Sequence, residues 1–331
     1  MAMETPNPES NDSVEPQQPV RVVAPARLHL GFLDLGGHLG RRFGSVGVTI
    51  DGIATEIRVY PAKSLRVSGE GSERVRELIV RLSGQLGLPL QMHIQVSSRI
   101  PPHAGLGSGT QMALAVGVAI SRFWGHRVTP RQIARLSGRG GRSGIGIAAF
   151  EGGGFIVDGG RGSVTQTPPL LSRLAVPESW CWLLIFDPAF QGLHGKKESE
   201  AFLRLPRFPR EVAARLCHSL LIQGLPALAE GSYEAFCETL AEIQRANGDY
   251  FAPAQGGSRY VSSQVAEVLA CMSQRGWVGL GQSSWGPTGF CLFPDSDTAA
   301  GEMEFLQERF GGSGIRFQRV ASRNHGARID E

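Results

Sequence analysis

Residues 101–116, PPHAGLGSGTQMALAV, constrain this chain more than any other stretch. Gly105, Gly107 and Gly109 occupy alternate positions beside Ser108 and Thr110. Upstream, Leu90, Met92, Ile94 and Val96 alternate with Gln91, His93 and Gln95, the period of a half-buried strand. Downstream, Met112 to Val116 and Val118 to Ile120 are apolar on every side, as in a core helix. Glycine removes the Cβ that would keep a ligand off the backbone. A helix start then presents N–H groups and the positive end of its dipole. The segment reads as a phosphate or diphosphate cradle made by Gly105, Leu106, Gly107, Ser108, Gly109 and Thr110. The plainer alternative is a turn that only lets the helix pack closely.

Two commoner phosphate loops are excluded. A Walker loop needs Lys-Ser/Thr after its last glycine, and no lysine is near. A dinucleotide fingerprint needs glycine at position 110 and an acid about twenty residues on. Position 110 is Thr, and the stretch around Gly125 to Arg127 carries no acid.

The 331 residues exceed one typical domain, and two are expected. No apolar run reads as a membrane span. Residues 1–20 are polar and proline-rich with no apolar segment of a signal peptide, and read as a disordered tail. The five cysteines are scattered and form no CxxC, which argues against a disulfide framework or structural zinc and for a reducing, cytoplasmic compartment. A net charge of +3 gives no sign of a nucleic-acid binder. Lys63, Lys196 and Lys197 are the only lysines among 33 basic residues, so arginine, the better bidentate partner of phosphate and carboxylate, dominates. A GC-rich genome would leave the same bias.

Periodicity predicts strands over 22–30, 53–60, 90–96, 154–158, 181–186, 277–281, 287–293 and 314–320. It predicts helices over 72–86, after the glycine loop, through most of 208–248, and over 259–275 and 298–310. Alternating, half-polar strands imply an antiparallel or mixed sheet. The run 137–154 reads as a second glycine-rich loop, and Pro168, Pro169 and Pro177 mark a boundary.

Three glycine-bearing segments, APARLHLGFLDLGG (24–37), PPHAGLGSGTQMALAVG (101–117) and GLGQSSWGPTGF (279–290), resemble in order and spacing the three motifs of the GHMP superfamily of small-molecule kinases. Within it, ARLHLGFLDLGG, GLGSGTQ, RSGIG with FEGGGFIVDGG, and SSWGPTGF resemble the β-ribofuranosylaminobenzene 5′-phosphate synthase family. The resemblance implies an α+β, two-domain GHMP-kinase-like fold with mixed or antiparallel sheets and packed helices, its domains spanning 21–170 and 178–325. It implies transfer of ribosyl phosphate from phosphoribosyl diphosphate to 4-aminobenzoate or 4-hydroxybenzoate. CO₂ and diphosphate are released, in an early step of tetrahydromethanopterin biosynthesis. It further implies Mg²⁺, a homodimer and small-molecule substrates only. An ATP-dependent GHMP kinase is the alternative.

Two departures from the kinase pattern favour the transferase. Many GHMP kinases carry Ser-Gly-x-Asp, whereas Ser143-Gly144-Ile145-Gly146 has glycine at the aspartate position. The second serine of the middle motif is replaced by Gly109. In this light Arg27, His29 and Arg142 are the candidate catalytic residues. Arg27 and His29 share a strand face, Arg27 for an anion and His29 for a hydrogen bond. Ser143, Asn247, Gln255, Ser283, Ser284 and Trp285 are candidate substrate contacts. Asn247, Asp249 and Gln255 equally suit a polar helix end, and Trp285 equally suits the core. Asp34 and Ser108 are the candidate metal ligands, although an Asp flanked by glycines often caps its own turn. Asp158 reads as a turn residue, and His194, Lys196 and Lys197 as a solvated loop.

Overall fold

The computed structural model describes residues 18–190 and 205–331. The expected basic loop at His194, Lys196 and Lys197 and most of the expected tail lie outside the described residues. Two long antiparallel strands, β1 (Val20–Asp34) and β2 (Phe43–Pro61), form the spine of the first sheet. β3 (Arg66–Gly69) runs parallel to β4 (Met92–Ser98), while β5 (Phe155–Asp158) and β6 (Leu170–Leu174) extend the sheet antiparallel from β2. The short C-terminal β11 (Arg328–Asp330) returns to pair with β1, giving seven strands in a mixed sheet. β7 (Cys181–Phe186), β8 (Leu280–Gln282), β9 (Gly289–Phe293) and β10 (Arg316–Ala321) make a second, antiparallel sheet in the order β10-β7-β9-β8.

Helices α1 (Ser72–Leu86), α2 (Ser108–Phe123), α3 (Pro130–Leu136) and α4 (Ile145–Gly152) belong to the first sheet. Helices α5 (Arg210–Ser219), α6 (Leu225–Glu230), α7 (Tyr233–Phe251), α8 (Ser263–Gln274) and α9 (Ser296–Phe310) follow in the second half. α2 is the central helix, with Ala113 to Ile120 buried, as its all-round apolar sequence requires. The two sheets are distinct, yet one core serves both. Leu28, Leu30 and Val48 of the first sheet share an apolar cluster with Trp182, Phe290 and Phe236.

Structure and expectation differ in detail at four places. The stretch 137–154 is not all loop, because its glycines allow close helix packing and Ile145–Gly152 is α4. β2 begins well before residue 53, its first half hidden by Gly44, Gly47 and Gly52. The first sheet is not closed by residue 170, since Leu170–Leu174 and Arg328–Asp330 both belong to it. The helical run Arg210–Glu230, interrupted by a π turn at Leu220–Gly224, is long and apolar enough to cross a membrane by length and composition alone. Its Leu216, Leu220, Ala227 and Leu228 are buried in the shared core.

Candidate active site

β1 carries bulges between Pro25 and Arg27 and between His29 and Gly31. Bulges re-aim side chains, and these two bracket Arg27 and His29. Ala26, Leu28 and Leu30 enter the core, while Arg27 and His29 face a cleft of about 1050 Å³. The Arg27 N–H donates to the Leu106 carbonyl at 3.2 Å, and its Nη1 donates to the Gly105 carbonyl at 2.5 Å. The arginine thus braces the glycine loop it was expected to accompany.

The loop arches over the start of α2. Gly105 and Gly107 adopt positive φ values of 82° and 85°. A Cβ on Gly105 would strike the Ser283 carbonyl and lie 3.0 Å from Gly286 Cα, so the loop packs backbone to backbone on the third glycine segment. Gly107 is the N-cap of α2 and supplies no side-chain cap, and the first turn contains no acid. Its leading N–H groups remain available to an anion in the cleft. Gly107, Ser108, Gly109 and Thr110 all line that cleft. Leu106 does not. Its side chain is buried in the core and only its carbonyl serves the loop.

Ser283 is fully buried and joins the three glycine segments. Its Oγ accepts from the His29 N–H at 3.0 Å and donates to the Gly105 carbonyl at 2.8 Å. The Ser284 N–H donates back to the His29 carbonyl at 3.0 Å. Ser283 is therefore a joint between the segments and does not itself line the cleft, whereas Ser284 and Trp285 do.

Asn247 and Gln255 are likewise spent within the protein. Asn247 Nδ2 donates to the Phe32 and Ile243 carbonyls at 2.9 Å each, and its Oδ1 accepts from the Phe32 N–H at 2.8 Å. Gln255 Nε2 donates to the carbonyls of Ser258 and Arg259. Both line a nook of about 30 Å³ that opens beside the cleft. His29, Phe32, Ser284 and Trp285 line the cleft and the nook alike and mark their junction. Phe32 packs against the His29 ring at 4.6 Å, and Phe251 meets Trp285 edge-on at 4.7 Å.

His29 is the orphan of this junction. It is buried, and neither ring nitrogen has a hydrogen-bond partner among the described residues. Burial, then the Arg27 charge, holds its pKa down to about 3, so the ring is neutral near pH 7. Most buried polar side chains are hydrogen-bonded, and this ring is an exception placed at the meeting of two cavities.

Ser143 and Arg142 line the cleft from the turn before α4. Asp158 builds that turn. Its Oδ2 accepts from the Gly144 N–H at 2.8 Å and from Ser143 Oγ at 3.3 Å, while Oδ1 accepts from Ser45 and Gly160 N–H groups. Burial raises the Asp158 carboxyl above its usual range against these bonds. Where the kinase aspartate would stand, a Cβ on Gly146 would lie 3.0 Å from the Thr110 methyl. A side chain at position 146 would crowd the first turn of α2.

The metal assignment fares differently. Asp34 lies outside the cleft lining, and its Oδ1 accepts from the Gly36 and Gly37 N–H groups at 2.8 and 2.9 Å, capping its own turn. Among the described residues, no group of three His, Cys, Asp or Glu is placed to hold a metal ion.

Sequence reasoning missed most of the cleft's positive charge. Arg74 and Arg81 of α1, Arg99, Arg139 and Arg161 line it with Arg27 and Arg142, and Glu77 is the sole acid of that lining. Arg74 and Arg81 sit two helical turns apart on one face, a spacing that would have marked them had α1 been placed beside the loop.

Comparison with known proteins agrees with this geometry. The model of the GHMP kinases N terminal domain matches residues 73–154, and that of the GHMP kinases C terminal domain matches residues 225–312. The chain is 32% identical over 327 residues to the beta-ribofuranosylphenol 5′-phosphate synthase of Methanothermobacter thermautotrophicus, covering 92% of this chain and 96% of that one. It is equally 32% identical to the enzyme of the same name from Archaeoglobus fulgidus, over 94% and 99% of the two chains. A putative sugar kinase from Campylobacter jejuni shares the fold with a TM-score of 0.68 at 13% identity, over 95% of this chain and 98% of that one. The chain therefore belongs to the β-ribofuranosylphenol 5′-phosphate synthase family, on the GHMP-kinase fold.

Proposed function

We propose that this enzyme joins phosphoribosyl diphosphate to a para-substituted benzoate, 4-hydroxybenzoate or 4-aminobenzoate, releasing CO₂ and diphosphate, as a step toward tetrahydromethanopterin. The junction carries this reading. An arginine-lined cleft made for a polyanion meets an aromatic wall and a neutral buried histidine, with no nucleophile–base pair between them. The nook is too small for a ring but suits one hydroxyl or amino group. The ring would lie against Phe32 and Trp285, its para substituent in the nook and its carboxylate end toward the cleft. The name of the curated relatives favours the hydroxyl.

In that pose the C1′–oxygen bond of the sugar breaks, with its electron pair leaving on diphosphate. A ring π pair forms the C1′–carbon bond at the carbon bearing the carboxylate. The ring–carboxylate pair then returns to the ring as CO₂ departs, so no base is required. The chain supplies charge and placement. The α2 N-terminus, Arg27 and Arg142 meet the negative charge gathering on diphosphate, and His29 bonds the acceptor without adding a charge. Juxtaposition of sugar and ring supplies much of the acceleration. Mg²⁺ is proposed to arrive on the diphosphate, and no residue of this chain is assigned to it.

The test is release of labelled CO₂ from the two carboxyl-labelled benzoates with phosphoribosyl diphosphate. Equimolar CO₂ and diphosphate are expected. ATP-dependent phosphorylation of small alcohols with no CO₂ release would replace this reading with that of a kinase.

A further inference from the structure

The β8–β9 turn holds a strained residue at the junction of the two cavities. The Gly286 N–H donates to the Ser283 carbonyl at 3.2 Å and closes the turn. Ser284 is thereby its first central residue, at a φ of 57°. Turns give that left-handed position to Gly, Asn or Asp. This chain gives nearly every left-handed position to glycine, and among the described residues only Phe43, His103 and Ser284 depart from that habit. Strain of this kind persists where the surroundings over-determine the backbone. Here they do. The Ser284 N–H donates to the His29 carbonyl at 3.0 Å, and its carbonyl accepts from Gln282 Nε2 at 3.0 Å. On the next turn residue but one, Gly286 packs backbone to backbone on Gly105.

Glycine at 284 would keep each of these backbone contacts without the strain, so the hydroxyl is what serine adds. That hydroxyl makes no hydrogen bond among the described residues, and Ser284 lines both the cleft and the nook. His29, tied to Ser284 through the backbone, lines both as well, and its buried ring has two unpaired nitrogens. A neutral imidazole offers one donor and one acceptor, and a serine hydroxyl offers the same. The pair therefore suits an uncharged group that both donates and accepts, whereas the arginines of the cleft suit anions. Resting on the proposed reaction, which supplies the acceptor, we infer that the Ser284 hydroxyl and the His29 ring together read the para hydroxyl or amino group of the benzoate, and that serine stands at a strained position to place this hydroxyl. Ser284 is then a specificity contact, bought with some of the stability of the unliganded fold.

Two measurements on the full chain test the assignment without turnover. One is thermal unfolding of the unliganded protein. The other is calorimetric titration with 4-hydroxybenzoate, 4-aminobenzoate and unsubstituted benzoate in saturating inorganic diphosphate. Ser284→Gly is expected to raise Tm by about 2 °C through relief of the left-handed serine. The same variant should weaken the tighter-bound para-substituted benzoate roughly 3- to 10-fold, the scale of one hydrogen bond. Ser284→Ala keeps the strain and loses the hydroxyl, so it should repeat the loss of affinity with a Tm no higher than wild type. Unsubstituted benzoate should bind both variants within about twofold of wild type. A serine with a merely structural role would not give a variant that is more stable and binds less well. Ser284→Gly with a Tm at or below wild type overturns the assignment. So does unchanged binding of the para-substituted benzoates, or an equal loss for unsubstituted benzoate. Wild-type protein that binds diphosphate but neither para-substituted benzoate overturns the reaction on which the assignment rests.

Discussion

Two polar regions face the same cavities and have opposite states. At the joint between β1, the glycine loop and the β8–β9 turn, the polar groups answer one another. Ser283 holds His29 and Gly105, Asn247 holds Phe32, and Gln244 Nε2 donates to the Leu30 carbonyl while its Oε1 accepts from the Gln282 N–H. On the rim, Arg74, Arg81 and Arg139 form no ion pair among the described residues, and Glu77, between the first two on α1, is the one acid that lines the cleft with them. Satisfied polar groups hold a fold together, and unsatisfied ones of a single sign wait for a ligand. Substitutions in the joint should therefore cost stability, and substitutions on the rim should cost binding while leaving stability intact or better.

The largest effect is expected at Gly105. Valine there combines a positive φ forbidden to a β-branched residue with a clash against the Ser283 carbonyl and Gly286. Gly105→Val should lose more than about 3 kcal/mol in a denaturant titration, together with all activity. A folded, active Gly105→Val would show that the three glycine segments do not depend on this contact. Ser283→Ala comes next. It leaves the buried His29 N–H without its acceptor and should cost about 2 kcal/mol, read by the same titration. A neutral result would mean that the joint is not held by this hydroxyl.

The contrast also explains what the sequence made legible. β1 and α2 announce themselves through local periodicity, and they deliver Arg27, His29 and the glycine loop to the cleft as expected. Helix α4 stayed hidden because Gly144, Gly146 and Gly152 read as loop, although Gly146 is small for packing on Thr110. Ser283, Asn247 and Gln255 show a different limit. Their side chains look available in sequence, and only the tertiary structure reveals the bonds they make to β1, the glycine loop, β8 and the 258–259 segment. Arg74 and Arg81 escaped notice as the solvated face of an amphipathic helix, and Arg139 as one more arginine in an arginine-rich chain. Their shared place in the cleft lining arises only when α1 and the segment after α3 meet over α2.

His29 belongs to both regions, its backbone in the joint and its ring at the junction, and acid separates the two roles. The unfolded chain binds a proton near pH 6.5 that the folded ring refuses until about pH 3. Its contribution is thus fully present above pH 6.5 and is lost as pH falls through that window. Wild type should lose roughly 1 kcal/mol more than His29→Gln between pH 6 and pH 5, measured by paired denaturant titrations. Parallel curves for the two proteins would mean that the ring is solvated and protonates freely, and would remove it from the junction.

The smallest effect has the opposite sign. Arg139→Gln removes one of three like charges and no partner, so it should stabilise the unliganded protein by a few tenths of a kcal/mol, the scale of a like-charge pair on a helix surface. That corresponds to a rise in Tm of about 1 °C or less for a chain of this size. The gain comes from relieved repulsion across solvent, so it should fade as salt is raised toward about 1 M, where the screening length falls to about 3 Å. A variant less stable than wild type at low salt would show that Arg139 has partners within the fold. The rim would then be a second joint, built like the first.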